Sequence, residues 1–163
     1  MTFQIVLGLG LALAAASPSA AQTPQNPQQI LAELYQADSK GQGGPVFDNE
    51  PPQTMQQVFS GRFNRAWNAA MRHNHDYPVI DADPFTGDQA EAPPKVLQIN
   101  VEAASATTMV LVATIAGASA PPRPRNIRFS FILEDGQWHI DEIEYPGTQG
   151  PRPKLRAYLE SVK

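Results

Sequence analysis

The predicted fold is built on residues 126–145, NIRFSFILEDGQWHIDEIEY. Apolar side chains fill every second position of the first half, which is typical of a strand with one buried face. These side chains are Ile127, Phe129, Phe131 and Leu133. Asp135-Gly136 follows directly, and this dipeptide favours a two-residue turn because both positions tolerate positive φ. The stretch therefore predicts an antiparallel hairpin.

The second strand of this hairpin contains a displaced apolar pattern. Trp138 and Ile140 share one face, whereas Ile143 and Tyr145 are shifted by one position. Since side chains alternate between the faces of a strand, the shift would turn the later pair away from the core. One extra residue in a β-bulge near Asp141 restores the register, and the sequence predicts such a bulge.

Two earlier segments also predict strands. Leu97, Ile99 and Val101 alternate with polar residues, as in a half-buried strand. Residues 109–115 are apolar on both faces, which is typical of a central strand covered on both sides. Together with the hairpin, these segments predict one four-stranded antiparallel sheet.

Three helices are predicted around the sheet. Asn26-Pro27 is a capped start for the first helix, and apolar residues at three- and four-residue spacing predict a second from Thr54 to about Asn74. Residues 155–162 predict a short closing helix. The order indicates an α+β fold in which N-terminal helices pack on a curved sheet. Such a sheet, closed by a helix, forms a cone with a pocket expected at its mouth.

The amino terminus predicts export. Residues 1–21 contain an apolar run followed by small residues at the spacing that signal peptidase recognises, so cleavage is expected after Ala21. The apolar run is too short for a stable membrane span. Residues 22–27 predict a flexible tether and residues 28–163 a single domain, located in the periplasm or secreted.

Composition argues against several classes of function. The 163 residues include no cysteine, which excludes disulfides and thiol chemistry. Twelve basic and 16 acidic side chains give a net charge of −4, which argues against nucleic acid as a partner. His73 and His75 are two positions apart and point to different sides of a helix, so no metal site is predicted. No cofactor is predicted either.

An acidic segment at residues 80–91 joins the helical part to the sheet. It does not fit a calcium loop, because Thr86 and Ala92 stand where that loop needs Gly and Glu. Two interpretations stay open. The segment is either a turn whose Phe85 fills the core, or a loop whose polar side chains meet a partner at the mouth of the cone. The candidate binding set, with three residues from the sheet, is Asp81, Asp83, Asp88, Gln89, Arg128, Trp138 and Tyr145.

Catalysis has few candidates in this sequence. His139 with Asp141, or Asp81 alone, would be the base in an apolar pocket. His139 and Asp141, however, are predicted to face away from Trp138 and Ile140. No nucleophile elbow or metal quartet occurs, so no catalytic residue is predicted. A basic patch is the candidate interface of a purely structural protein, and it comprises Arg123, Arg125 and Arg128.

The loop at residues 81–89, followed by the hairpin at residues 135–143, resembles the bacterial family known as domain of unknown function 3828. That family is similar to the NTF2-like, cystatin-like α+β superfamily. The matching positions are Asp81, Asp83, Pro84, Phe85, Gln89, Asp135, Gly136, Trp138, Ile140, Asp141, Ile143, Leu155 and Leu159. Ala90 departs from the pattern, since the family often has an acid there. The resemblance spans residues 28–162 and implies a cone-shaped envelope protein without an assigned enzymatic activity.

The predicted function is therefore that of an exported, non-catalytic envelope protein, acting as a small binding or protein-interaction module. The expected partner is an envelope protein or a small ligand, with no nucleic acid and no membrane span after cleavage. A homodimer is expected only by analogy with NTF2-like sheets. The alternatives are a small enzyme of the dehydratase or isomerase type and a structural envelope accessory.

Overall fold

The computed structural model describes residues 25–39, 57–73, 79–80, 82–87, 94–116, 124–147 and 153–162. Three helices and four strands lie in these ranges. In chain order they are α1 (Pro27–Ser39), α2 (Gly61–His73), β1 (Lys95–Ala104), β2 (Thr108–Ala116), β3 (Pro124–Glu134), β4 (Gln137–Glu144) and α3 (Leu155–Ser161). The strands form one antiparallel sheet in the order β1-β2-β3-β4, which confirms the predicted α+β class. The predicted signal peptide and residues 22–24 of the predicted tether lie outside the described residues, and Pro27, the last tether residue, already belongs to α1.

The predicted hairpin joins β3 to β4. Asp135 and Gly136 have φ angles of 50° and 78°, and Glu134 pairs with Gln137 on either side of them. Two consecutive positive φ values match the right-handed twist of the flanking strands. The turn residues therefore act as the sequence predicts.

The predicted bulge is also present in β4. Phe131 pairs with Ile140 and Ser130 pairs with Glu142, which leaves Asp141 as the extra residue. As a result Ile140 and Ile143 both face the core, where each is fully buried. The bulge also turns Asp141 out of the regular alternation of the strand.

The core fills the space between the helices and one face of the sheet. Phe63 and Trp67 of α2 are 1% and 3% exposed, and Phe131 of β3 is 1% exposed. The central strands add fully buried side chains, which are Leu111, Ala113, Ile115, Ile127 and Phe129. On the opposite face of β2, Val110 and Val112 are only half-buried, so this strand is less covered than predicted.

The helix predicted from Thr54 to about Asn74 is interrupted. Gln57 and Val58 are helical, and after Phe59 and Ser60 the chain enters a helix again as α2. It starts at Gly61, and Ser60 caps it by accepting a hydrogen bond from the Phe63 amide at 3.1 Å. Phe59 lies instead in a parallel bridge with Ile140, and the Ser60 amide donates to the Ile140 carbonyl at 2.9 Å. Pairing with the edge of β4 thus replaces a helical turn at this position, while the Phe59 ring stays in the core. Thr54, the predicted start, lies outside the described residues.

The other two helices agree with their predicted positions. The Asn26 side chain accepts a hydrogen bond from the Gln28 amide at 2.9 Å and so caps α1. Leu155 and Leu159 bury the apolar stripe of α3. No helix in the described ranges has the length and apolar character that crossing a bilayer requires.

The segment before the sheet is a turn packed against the core. The Asp83 side chain accepts a hydrogen bond from the Phe85 amide at 2.7 Å, and the Asp83 carbonyl accepts one from the Gly87 amide at 2.6 Å. Phe85 is 3% exposed, and its carbonyl accepts a hydrogen bond from the Tyr35 hydroxyl at 2.8 Å. The prediction that Phe85 fills the core is confirmed.

The two edges of the sheet differ. The outer edge of β4 pairs with Phe59 at one point and with Lys154 at another. The outer edge of β1 has no strand partner among the described residues. Two register shifts interrupt β1, between Val96 and Gln98 and between Val101 and Ala103. Bulges of this kind discourage further strands from pairing with an open edge.

Two glycines with positive φ should respond differently to the same substitution. At Gly136 an added Cβ meets nothing within 4 Å, so Gly136→Ala should cost only the backbone term, about 1 kcal/mol. At Gly87, φ +64°, the Cβ would lie 2.7 Å from Cδ1 of Tyr145, so Gly87→Ala should cost about 3 kcal/mol. Urea unfolding at pH 7 measures both. Equal losses would show that the turn does not pack against Tyr145.

Candidate functional site

Three carboxylates of β4 are buried. Asp141, Glu142 and Glu144 are 2%, 5% and 7% exposed. A buried carboxylate is costly unless it is paired and hydrogen-bonded, so its partners show what it does. Each of the three has identifiable partners.

Asp141 holds the start of α2. Both of its oxygens accept hydrogen bonds from the Arg62 guanidinium, and Oδ1 accepts a third from the Ser60 hydroxyl at 2.8 Å. The hydrogen bond to Asp141 is the main cause that raises the pKa of Arg62. The first turn of α2 has no acid of its own, but Glu134 accepts a hydrogen bond from the Gly61 amide at 2.9 Å. Carboxylates of the hairpin therefore complement the positive end of this helix.

Glu142 plays the same part for α3. The residue before this helix, Lys154, makes no side-chain cap. Glu142 instead accepts hydrogen bonds from the backbone amides of Arg156 at 2.7 Å and Ala157 at 3.3 Å. The Arg156 guanidinium donates to the Asp141 carbonyl at 2.9 Å and so links both carboxylate sites. Glu142 is thus a helix cap supplied by a neighbouring strand, whereas Asp141 holds α2 through the side chains of Ser60 and Arg62.

Glu144 belongs to an ion-pair row on the other face of the sheet. Arg128 contacts Glu102 and Glu144, each at 3.0 Å, and Lys154 contacts Glu144 at 3.2 Å. The pKa of Arg128 is raised, first by its hydrogen bonds to Glu102 and then by the charge of Glu144. The row ties β1, β3 and β4 together across the sheet.

Tyr145 is a partly buried tyrosine at the end of β4 that faces the 82–87 turn. Its hydroxyl donates to the Pro84 carbonyl at 2.9 Å, and its ring lies against Gly87. Burial raises the pKa of Tyr145 far above its usual range, and the negative charges of Asp83 and Glu142 add to the effect. Tyr145 is therefore a neutral hydrogen-bond donor that fastens the 82–87 turn to the end of the sheet.

The predicted binding residues do not converge on one place. Asp83 and Tyr145 lie together at the turn. Arg128 faces the side of the sheet opposite the core, whereas Trp138 packs against the core near the hairpin turn. Seven positions separate Trp138 from Tyr145, roughly 20 Å along a strand. Three members of the set, Asp81, Asp88 and Gln89, lie outside the described residues.

The catalytic candidates are also separated. His139 pairs with Ile132 on the face opposite the core, as predicted, while the bulge turns Asp141 towards Arg62. The expectation that His139 and Asp141 share a face is therefore wrong. The Nδ1 atom of His139 is buried and has no hydrogen-bond partner among the described residues. No group of three or more metal-binding side chains occurs in the described ranges.

The basic patch is divided as well. Arg128 is neutralised by the two carboxylates of its ion-pair row. Arg125 pairs with Ile115 along the sheet and is half-buried. Arg123 lies outside the described residues.

A groove between α1 and β1 is the feature that the sequence did not predict. Its volume is about 330 Å³, within the range of small-ligand sites. Most of its walls are apolar, and its lining residues are Ala32, Tyr35, Gln36, Pro94, Lys95, Val96 and Ile99. The one signal in the sequence is Ala32, a small residue beside Tyr35 and Gln36 on one side of α1. The groove depends on how far α1 stands from β1, which periodicity does not reveal.

The ion pair between Arg62 and Asp141 should behave as one unit. Arg62→Ala and Asp141→Ala are each expected to lower the free energy of unfolding by about 2–3 kcal/mol, because either change breaks a paired, buried carboxylate site. The double variant should lose about 2 kcal/mol less than the sum. Urea unfolding of the four proteins measures this coupling. Glu160→Ala, an exposed partner of Arg156, is the control and should cost under about 0.5 kcal/mol. Additive losses would contradict the pairing.

Tyr145 should make stability depend on alkaline pH. Its pKa is raised in the folded state, so only the unfolded chain releases this proton as pH rises above about 10. The contribution of Tyr145 is thus complete below that pH and declines above it, by about 1.4 kcal/mol per pH unit. Tyr145→Phe should cost about 1 kcal/mol at pH 7, and its difference from the wild type should shrink above pH 10.

Urea unfolding between pH 7 and 11 measures this difference. Tyr158→Phe is the control, because Tyr158 is 52% exposed and its hydroxyl also donates to a carbonyl, that of Val79, at 3.3 Å. Its difference from the wild type should shrink less than that of Tyr145→Phe. A constant difference for Tyr145→Phe would show that its hydroxyl is not buried in solution.

No family model, curated protein or solved structure matches this chain. Its function is therefore inferred from the contacts and the groove described above.

Proposed function

We propose that this chain is an exported, non-catalytic protein of the bacterial envelope that acts as a small binding module. We further propose that it belongs to the domain of unknown function 3828 family and folds as an NTF2-like, cystatin-like cone. The α+β element order, the hairpin and the turn that carries Phe85 support this membership. The N-terminal signal pattern supports export.

The groove between α1 and β1 is the observation that carries the binding function. It is concave, mostly apolar and about 330 Å³ in volume, and Lys95 and Gln36 add polar groups to its lining. Ligand sites combine these features, since apolar walls supply affinity and a few polar groups fix orientation. The buried β4 carboxylates, in contrast, are engaged with the starts of α2 and α3 and with the ion-pair row. A binding role therefore fits the groove better than it fits the acidic residues.

The enzymatic alternative has one observation in its favour. The buried Nδ1 atom of His139 has no hydrogen-bond partner among the described residues. A general base usually needs a second group to orient it, and the bulge turns Asp141 away from this histidine. The binding function thus has the stronger support.

Native mass spectrometry of the protein isolated from its envelope fraction tests the proposal. The polypeptide should begin at Gln22, and a share of the molecules should carry an additional non-covalent mass. Ala32→Trp should remove that mass, because the ring would occupy the groove. Ala157→Trp is the matched control, as Ala157 is an exposed alanine on α3, and should retain it. A polypeptide that keeps residues 1–21 would contradict export, and loss of the mass in both variants would contradict the groove as its site.

A further inference from the structure

The groove between α1 and β1 has a polarity that indicates the kind of ligand it holds. Ala32 contributes to the helix side, and Pro94, Val96 and Ile99 form the strand side. These side chains are apolar, so they can contact a hydrocarbon but can neither donate nor accept a hydrogen bond. The groove is therefore suited to a narrow apolar chain.

Lys95 is the charged group of this lining. It is exposed at the first position of β1, and no ion pair to Lys95 occurs among the described residues. By contrast, these other basic side chains meet carboxylates: Arg62, Arg128, Lys154 and Arg156. An ammonium beside an apolar groove complements an anionic head attached to an apolar tail.

The size of the groove limits the ligand to one chain. A volume of about 330 Å³ lies at the lower end of the range for small-ligand sites. The interior beneath is filled by aromatic side chains, including Tyr35 against Phe129 and Phe85, so a second chain has no space in the core there. A phospholipid with two chains is therefore a poor fit.

We propose that this groove binds a free single-chain carboxylate amphiphile, with the tail against Ala32, Val96 and Ile99 and the carboxylate at Lys95. This inference rests on the proposed binding function and specifies its ligand class. Gln36 also lines the groove.

Titration calorimetry with alkanoates of six to twelve carbons tests the apolar part. Affinity should rise about fourfold for each added methylene that the groove buries, and it should level off once the groove is full. Ala32→Trp should weaken decanoate binding more than about tenfold, whereas Ala157→Trp should leave it unchanged. Affinity that is independent of chain length, or of Ala32→Trp, would overturn the proposal.

The charge at Lys95 is tested with ligands of one tail and different heads. Decanoate should bind more tightly than decyltrimethylammonium, and Lys95→Gln should weaken decanoate binding about three- to fivefold. Lys154→Gln removes the same charge at a cation paired with Glu144 and is the control, with no expected loss. Equal affinity for the two heads, or equal losses in both variants, would overturn the role of Lys95.

Three further outcomes distinguish the proposed ligand class from the proposed binding function. If no alkanoate binds while the native protein still carries a mass that Ala32→Trp removes, the ligand class is wrong and the binding function stands. Binding only to phosphatidylglycerol vesicles, and not to monomeric decanoate, would overturn the choice of a free acid. If the native protein carries no additional mass but decanoate binds with the expected dependence on Lys95, the proposed ligand class is supported, and the expectation of a ligand that stays bound during isolation is wrong.

Discussion

The structure depends on the carboxylate of Asp141, which a single extra residue in β4 places at the start of α2. The bulge lets Ile140 and Ile143 enter the core together, and the displaced carboxylate meets Ser60 and Arg62. One irregularity in a strand therefore serves both the packing of the sheet and the attachment of a helix. Because the carboxylate is buried, it is stable only while those donors are in place, and this couples the position of α2 to the register of β4.

Two other carboxylates of the hairpin also bind the start of a helix. Glu134 and Glu142 bind backbone amides in the first turns of α2 and α3, and neither helix has an acid of its own there. Unpaired amides at a helix start attract negative charge, so the caps can come from another element. The buried carboxylates of β4 are engaged by the helix starts and by the ion-pair row. The groove beside β1 lies at the opposite edge of the sheet.

Much of the fold could be predicted, because it depends on local rules. Alternation gave the strands, Asp135-Gly136 gave the turn, the displaced pattern at Ile143 gave the bulge, and Phe85 was expected in the core. The helix from Thr54 to about Asn74 was predicted as continuous because the apolar spacing runs through Phe59, whereas it is interrupted where Phe59 pairs with the edge of β4. The candidate site was predicted less well. Arg128 and Trp138 were grouped with Tyr145 but lie on different faces or at different ends of the sheet.

Local sequence patterns were enough to predict the α+β class, the succession of helices and strands along the chain, the hairpin turn and the need for an extra residue near Asp141. These features follow from side-chain periodicity and from the φ angles that particular residues tolerate, which neighbouring residues encode. Three features are visible only in the folded chain: the groups that the carboxylates of β4 bind, the partners of Arg128, and the groove between α1 and β1. Those outcomes depend on distances between elements far apart in the chain, and such distances are set when the core packs.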